Sequence, residues 1–342
     1  MRKLASIRKI DNLTPIEGAD LIESASIGGW NVIVKKGEFS VGDLAIYCEI
    51  DSWIPTEIVP FLSKGKEPNE YMGTKGERLK TIKLKGVLSQ GLLLSINDPI
   101  IYRKIVGQNG IFEGVDFSEE LGIIKYDPPI PACLAGKVKG NFPSYIPKTD
   151  QERVQNLSDK LSDWDARFYT WEVTEKLDGS SMTVFLNEEG HFGVCSRNLE
   201  LLETEENSFW RAARENHLET KLREYNVPLA LQGELVGEGI QGNPYKIKGH
   251  KFYVYDIYDI VSKCYLSASS RIEFTLAFDI DHVPVIDDLN FYKDVSELLN
   301  LAEGKSVLCD STEREGLVFK CKNRPEISFK AISNKFLLKN GG

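Results

Sequence analysis

The chain has 342 residues and a formal net charge of −9, a length that suggests two domains of ordinary size. With 42% hydrophobic and 27% charged residues it has the balance of a globular chain large enough to fold without disulfide or metal staples. No apolar run approaches the roughly 18–20 residues of a membrane span, and the acidic total excludes a general polycation, although nucleic acid reads local patches rather than totals.

Taken in chain order, the basic N-terminus from Met1 to Ile10 alternates like a strand and lacks the apolar core of a leader peptide. The first 125 or so residues are β-rich. Asn31–Val34, Leu44–Ile50, Leu79–Lys85 and Gly86–Leu94 are short apolar or β-branched runs punctuated by Gly and Asp, as in a small barrel or sandwich. Residues 126–148 form a Pro-rich seam that no central strand or helix interior tolerates, and they read as a linker. Thr149 and Glu152 have the spacing of a capping box opening a helix. A second helix is expected over about 206–224. The six cysteines include no CxxC pair and the four histidines are isolated. A Cys/His zinc site is therefore not expected, and the thiols fit a cytoplasmic or other reducing intracellular compartment.

The segment Trp171-Glu-Val-Thr-Glu-Lys176-Leu-Asp178-Gly179 predicts a strand running into a Lys-x-Asp-Gly turn, followed by a second strand. Alone this is a polar β-turn. In order behind it come Ser196-Arg197-Asn198, Gln232-Gly-Glu234-Leu-Val-Gly, Phe252-Tyr-Val-Tyr255-Asp-Ile, Glu315-Gly-Leu-Val-Phe-Lys320 and Ser328-Phe-Lys330. This ordered set resembles the motifs of the covalent nucleotidyltransferases: ATP-dependent DNA and RNA ligases and mRNA capping enzymes. The N-terminal runs Gly37–Ile50 and Arg78–Leu94 look like the OB-fold domain of the nick-sealing branch of RNA ligases. Only twelve residues follow Lys330, too few for the OB domain that DNA ligases and capping enzymes carry after their last motif.

The resemblance implies an α+β chain: an N-terminal OB-fold β-barrel over 1–125, a linker over 126–148, and an adenylyltransferase domain over 149–342 built on antiparallel sheets with flanking helices. It implies an ATP-dependent RNA ligase in which Lys176 attacks the α-phosphorus and carries AMP. A lysine must lose its proton to do so, and a nearby cation favours the neutral amine. Asp178, Glu234 and Glu315 are the carboxylates expected to hold Mg²⁺ or Mn²⁺ through its waters. Asp178 is also expected at the ribose. Lys320 and Lys330 should reach the α-phosphate or pyrophosphate, and Arg153 the terminal phosphates. Arg197 should meet the ribose or a 5′-phosphate, its fork matching an oxyanion. Tyr255 should stack on adenine, with Tyr253 on the same strand face. The Glu175 carbonyl should read the adenine amino group, and Gly179 completes the turn. Many RNA ligases have Lys-x-Lys in the last motif; here Ser328 takes the first of those positions.

Between Lys64 and Lys85 seven basic residues face three acidic ones. Lys80, Lys83 and Lys85 are the candidate contacts to RNA or an RNA-containing nicked duplex, with a monomer and no membrane partner expected. Two other readings stand beside this one. The first is a DNA ligase or GTP-using capping enzyme. The second is a non-catalytic OB-fold nucleic-acid-binding protein, against which the intact Lys176, Asp178, Glu234 and Glu315 set argues.

Overall fold

Strands dominate the fold, and the apolar side chains of most of them gather into cores. The computed structural model describes residues 3–107, 110–127, 138–289, 294–322 and 324–340. By its internal contacts the chain divides into two units, residues 1–129 with 337–342, and residues 130–336.

In the first unit β1 (Ala5–Lys9), β2 (Asn12–Pro15), β3 (Ile22–Ile27), β4 (Trp30–Lys35), β5 (Leu44–Cys48) and β6 (Ser52–Pro55) precede β7 (Asn69–Tyr71), β8 (Thr74–Arg78), β9 (Ile82–Leu84), β10 (Val87–Ser89) and β11 (Leu92–Ser95). A short helix α1 (Pro99–Ile105) and strand β12 (Ile124–Lys125) follow. They pair as β1-β5-β11, β12-β6-β8-β7, β2-β3-β4 and the hairpin β9-β10. Ile7, Ile46, Ile54, Phe117 and Leu121 are among the apolar side chains buried together in this unit. Helix α1 starts where a helix should: Asp98 accepts from the backbone N–H of Ile100 and Ile101 at 2.9 and 3.1 Å, and Pro99 fills the first helical position. The β9–β10 hairpin turns through Lys85 and Gly86, with φ of 48° and 83°. Two positive φ values in a two-residue loop match the strand twist. Lys80, Lys83 and Lys85 are all exposed there.

The second unit has two main sheets. One runs β13 (Val138–Asn141), β18 (Leu199–Leu201), β17 (Phe192–Cys195), β16 (Ser180–Leu186), β19 (Leu229–Gly237), β20 (His250–Asp259), β21 (Cys264–Tyr265). The other runs β14 (Glu152–Arg153), β24 (Ser328–Ile332), β23 (Gly316–Cys321), β15 (Trp171–Lys176), β22 (Val285–Leu289). All pairings are antiparallel except β14 with β24. Its helices are α2 (Ser158–Ala166), α3 (Ser208–Glu215), α4 (Leu218–Tyr225), α5 (Ala268–Ala277) and α6 (Val295–Ala302), while α7 (Asn334–Asn340) begins in this unit and ends among the residues counted with the first. Trp171, Val173, Leu317, Phe319 and Phe329 of the five-stranded sheet share a core with Leu161 of α2 and Leu298 of α6. Met182, Val184, Leu231 and Val254 of the larger sheet share one with Phe209 and Ala213 of α3, Leu222 of α4 and Phe274 of α5.

Three local expectations are corrected. Thr149 and Glu152 cap no helix. Residues 152–153 are drawn into the ladder with β24, so Glu152 accepts instead from the Arg153 N–H and the Asn156 amide, both at 2.9 Å. The helix begins only at Ser158. Second, the helix expected over 206–224 is two helices. Asn216 donates its side-chain amide to the Ala212 carbonyl at 2.8 Å and His217 turns left-handed, φ 52°. The break lets Ala213 and Leu222 reach one core. Third, Val138–Asn141, within the expected linker, is the edge strand β13; residues 128–137 of that linker, with Cys133, lie outside the described residues. Of the described thiols, Cys48, Cys195 and Cys321 are buried, Cys309 is half-buried and Cys264 is exposed. No helix is long and apolar enough to cross a membrane among the described residues.

Candidate active site

Register places the chemistry on one face of the five-stranded sheet. Glu172 pairs with Lys320, which pairs with Ser328; Thr174 pairs with Val318, which pairs with Lys330, which pairs with Arg153; Lys176 pairs with Gly316. These positions share a parity, and the intervening Trp171, Val173, Leu317, Phe319 and Phe329 form the core on the other side. Glu172, Lys176, Lys320, Ser328, Lys330 and Arg153 therefore line a polar face. Arg153 is buried on a strand rather than exposed on a helix.

At the end of β15 the Lys176 Nζ donates to Glu315 Oε2 at 2.7 Å. Glu234 and Asp178 act electrostatically on the same ammonium. Burial pushes the Lys176 pKa down, but the charges of Glu315, Glu234 and Asp178 outweigh it and hold the group above its ordinary value. The carboxylates suffer in turn. Asp178 is pushed up to about 7 by burial and by Glu315, against the pull of Lys176. Glu234 is pushed up to about 8, by burial first and then by Glu315 and Asp178, again against Lys176. Three carboxylates around one ammonium make an anionic pocket whose oxygen donors suit a hard divalent cation. Among the described residues no three His, Cys, Asp or Glu side chains stand close enough to ligate an ion directly.

The turn is built to bring these groups together. A Cβ on Gly179 would lie 2.5 Å from the Leu235 carbonyl and 2.8 Å from the Glu234 Cγ, so only glycine lets the turn pack on β19 at Glu234. The Asp178 N–H donates to the Tyr245 hydroxyl at 2.6 Å, and Gln241 donates to the Gly179 carbonyl at 3.3 Å.

A bulge shapes the opposite wall. Gln232 pairs with Asp256 but Gly233 pairs with Val254, which leaves Tyr255 as the extra residue of β20. Tyr255 and Asp256 both reach Lys320. Its Nζ donates to the Tyr255 carbonyl at 2.6 Å and to Asp256 Oδ1 at 2.5 Å. It also lies 5.5 Å from the centre of the Tyr255 ring. Burial, then Arg271, lowers the Lys320 pKa, against the opposing charge of Asp256. Tyr253 is fully packed with Leu177, Val236, Tyr245 and Val283, while Tyr255 borders that cluster half-buried. A strap over residues 147–150 runs alongside: Gln232 donates to the Pro147 carbonyl at 2.8 Å, and Thr149 Oγ1 meets the Tyr255 hydroxyl at 2.9 Å. Arg197 is exposed and ion-paired to Asp150 at 2.7 Å. Glu175 points its carboxylate away from the turn, to the Val307 N–H at 2.8 Å, and burial raises its pKa.

The geometry thus joins Lys176, Asp178, Glu234 and Glu315, and places Lys320, Lys330 and Arg153 on the same sheet face. Arg197 is tied to the strap, and Lys80, Lys83 and Lys85 belong to the first unit. Sequence reasoning passed over Glu172, Tyr245, Asp256, Arg271 and His282. Only Asp256 left a trace, as a charge breaking the apolar run Phe252–Ile257.

An RNA ligase family model matches residues 169–335, and an OB-fold domain model matches residues 4–96. Solved structures of the RNA ligase of Naegleria gruberi superpose over 98% of this chain at 44% identity. They include an aspartate-substituted apo form (TM-score 0.90, 97% of that chain), a lysine-substituted form with ATP and Mn (0.90, 98%) and a form with pyrophosphate (0.90, 98%). The chain belongs to the RNA ligase family. No curated relative matches the sequence. The enzyme's first unit accordingly carries the OB fold, and its second the sheet-rich ligase domain.

Proposed function

We propose that the enzyme is an ATP-dependent RNA ligase that joins 3′-OH and 5′-phosphate ends. Its preferred breaks are nicks in duplexes with an RNA 3′-OH strand, sealed through lysyl-AMP and a 5′-adenylylated strand. One observation carries this reading: Lys176 at a strand end, bonded to Glu315, with Asp178 and Glu234 crowded around it. The similar solved structures with ATP and Mn, and with AMP and Mn, support it.

In the first step Lys176, after its ammonium loses a proton to solvent, forms a bond from its lone pair to the α-phosphorus while the bond to the bridging β-phosphate oxygen breaks and pyrophosphate leaves; the nitrogen then gives up a second proton to solvent. Without substrate the carboxylates hold the proton on Lys176, so the resting amine is not a nucleophile. Asp178, Glu234 and Glu315 are the residues that would hold a divalent cation, whose charge would favour the neutral amine and offset the α-phosphate charge. Lys320, Lys330 and Arg153 present cations to the α-phosphate and the departing pyrophosphate from the same sheet face. Tyr255 stacks on adenine, and the Glu175 carbonyl reads its amino group. Arg197 exchanges Asp150 for the ribose or the 5′-phosphate. Asp178 serves the ribose once AMP is attached. In the later steps the 5′-phosphate takes AMP from lysine, and the 3′-OH displaces it. Lys80, Lys83 and Lys85 grip the nucleic acid.

The test is labelling by α-phosphate-labelled ATP and GTP, followed by sealing of nicked duplexes that differ only in the sugars flanking the nick. ATP should label the wild type and not a folded Lys176→Met variant, and an RNA 3′-OH strand should be sealed best. Labelling of that folded variant, or by GTP alone, would overturn the reading of the site. A strict DNA 3′-OH preference would overturn the substrate assignment.

A further inference from the structure

Arg271 is among the largest fully buried side chains, 1% exposed, on α5, which contributes no nucleotide motif. Its guanidinium has three partners: Nη2 donates to Glu172 Oε2, Nη1 lies 3.8 Å from Asp256 Oδ1, and Nε donates to His282 Nε2 at 2.9 Å. Arginine does not lose its proton in proteins, so His282 Nε2 must accept. The other ring nitrogen then carries hydrogen and donates to the Val283 carbonyl at 2.6 Å. Burial and the neighbouring Arg271 keep that imidazole neutral, with a pKa pushed down to about 4.

Asp256 is shared, because it also binds the Lys320 ammonium at 2.5 Å. Glu172 lies directly across the β15–β23 ladder from Lys320. Two buried cations, Arg271 and Lys320, thus face two buried carboxylates, Glu172 and Asp256, and their formal charges cancel. Its members come from α5, β15, β20 and β23, with His282 from a segment running beside β20: Val254 donates to the Asp281 carbonyl at 2.9 Å and Val283 to the Val254 carbonyl at 3.0 Å.

Such a set is a poor device for stability, since well-packed apolar side chains would serve as well or better. It is a good device for placement, because each buried charge has few positions in which it is compensated. Lys320 has three N–H donors. Two are taken by Asp256 and the Tyr255 carbonyl. Were Arg271 absent, Asp256 would have a single cation to follow and Glu172 would stand beside Lys320 without its arginine. The ammonium could then settle between the two carboxylates instead of at the bulge.

We propose that Arg271 is a positioning residue for adenylyl transfer, holding Glu172 and Asp256 so that Lys320 stays at the Tyr255 carbonyl with one donor left for the nucleotide phosphate. The proposal rests on the reading of Lys320 as a phosphate-binding residue, and the test separates the two. Lysyl-AMP formation is measured in single turnover across ATP concentrations for wild type, Arg271→Lys, Lys320→Ala and the double variant, with thermal unfolding alongside. A second pair, Arg271→Met with Glu172→Gln, removes one charge of each sign and leaves Lys320 and Asp256 in place, in case Arg271→Lys does not fold.

The maximal rate should fall roughly tenfold or more in either Arg271 variant, the scale of losing a group that orients an active-site residue, with half-saturating ATP changed by less than about threefold. In the Lys320→Ala background the further loss should shrink to about twofold or less, because residues acting through one another are not additive. Full, independent losses in both backgrounds, or a folded Arg271 variant with the wild-type rate, would overturn the proposal. A Lys320→Ala enzyme that forms lysyl-AMP normally would overturn the reading of Lys320, and the proposal with it. Loss in the Arg271 variants beside a normal Lys320→Ala enzyme would locate the arginine's effect elsewhere.

Discussion

The two units treat charge in opposite ways. Among the described residues of the first, Glu23 and Glu49 are the buried charged side chains, and Lys80, Lys83 and Lys85 stand exposed on and beside a hairpin. The second buries Arg153, Glu172, Glu175, Asp256, Arg271 and Lys320. Burying a charge costs far more than exposing one unless it is paired and hydrogen-bonded. A fold that accepts this cost repeatedly within one unit is holding charge where water cannot screen it, as transfer of a phosphoryl-linked group requires. Exposed lysines on a short hairpin suit a partner that approaches through solvent and is held by many weak, screened contacts.

The sharpest way to break the contrast is to remove one buried carboxylate. Asp256→Ala leaves Lys320 and Arg271 short of a shared anion. The expected loss is about 3–5 kcal/mol of unfolding free energy, the range for breaking a buried pair. Urea unfolding at constant ionic strength measures it. A loss under about 1 kcal/mol would mean that the buried set is solvated after all and is no different from surface pairs.

Next in size are the carboxylates at the lysine. Glu234→Ala and Glu315→Ala should each lower lysyl-AMP formation by roughly ten- to a hundredfold, as when metal-orienting groups are lost. They should do so with little loss of fold, because they relieve repulsion as well as remove contacts. Burst labelling at fixed divalent cation checks the rate. A near-normal burst from either variant would remove that residue from the site.

Legibility in the sequence followed the same division. The Lys176 turn, Glu234, Glu315, Lys320 and Lys330 could be found because they occupy fixed positions in short ordered motifs, and strand parity then places most of them on one face. The partners that hold them could not. Arg271 lies on a helix with ordinary helix composition, and nothing local marks its side chain as buried. Tyr245 meets the Asp178 N–H from 67 residues away. The Tyr255 bulge is invisible to alternation, because one extra residue puts two successive side chains on one side. The helix breaks failed for a related reason: His217 turns left-handed for the sake of tertiary packing, and residues 152–153 are extended because a ladder with β24 outweighs a local capping preference.

Repulsion in the pocket also predicts a pH dependence of stability. Glu234 sits at about 8 when folded against an ordinary 4.5, and Asp178 at about 7 against 3.8. A carboxyl whose folded pKa is raised binds its proton more tightly in the folded state. Its contribution is full below the unfolded pKa and is lost as pH rises through the folded one. The metal-free enzyme should therefore lose stability between about pH 4 and pH 8 from these two groups. Glu234→Gln should melt higher than wild type near pH 8, with the gap closing toward pH 5. Melting curves across that range in the presence of a chelator test it. A gap that widens toward acid would reverse the sign and remove the repulsion from the account. Added divalent cation should narrow the gap at pH 8, since it offsets the same charges.

The smallest effect is expected where charge is exposed. Replacing Lys80, Lys83 and Lys85 together by alanine should leave lysyl-AMP formation unchanged and lower melting only by the modest cost of an alanine at the left-handed Lys85 position, because the three lysine side chains are exposed. Nick binding should weaken instead, and in a way that depends on salt. Each phosphate a lysine neutralises contributes about 0.9 to the slope of log affinity against log salt on duplex DNA, and somewhat less on single strands. Three lost contacts should flatten that slope by about two to three. The weakening should then be clear near 50 mM salt and fade above roughly 300 mM, where screening has already removed most of the contribution. The turn can be separated from the charge with Lys85→Asn, a residue that tolerates the left-handed conformation: beside Lys80→Ala and Lys83→Ala it should reproduce the same slope without local strain. An unchanged slope with intact binding would move the nucleic-acid grip off this hairpin, while leaving the adenylylation chemistry of the second unit where it is.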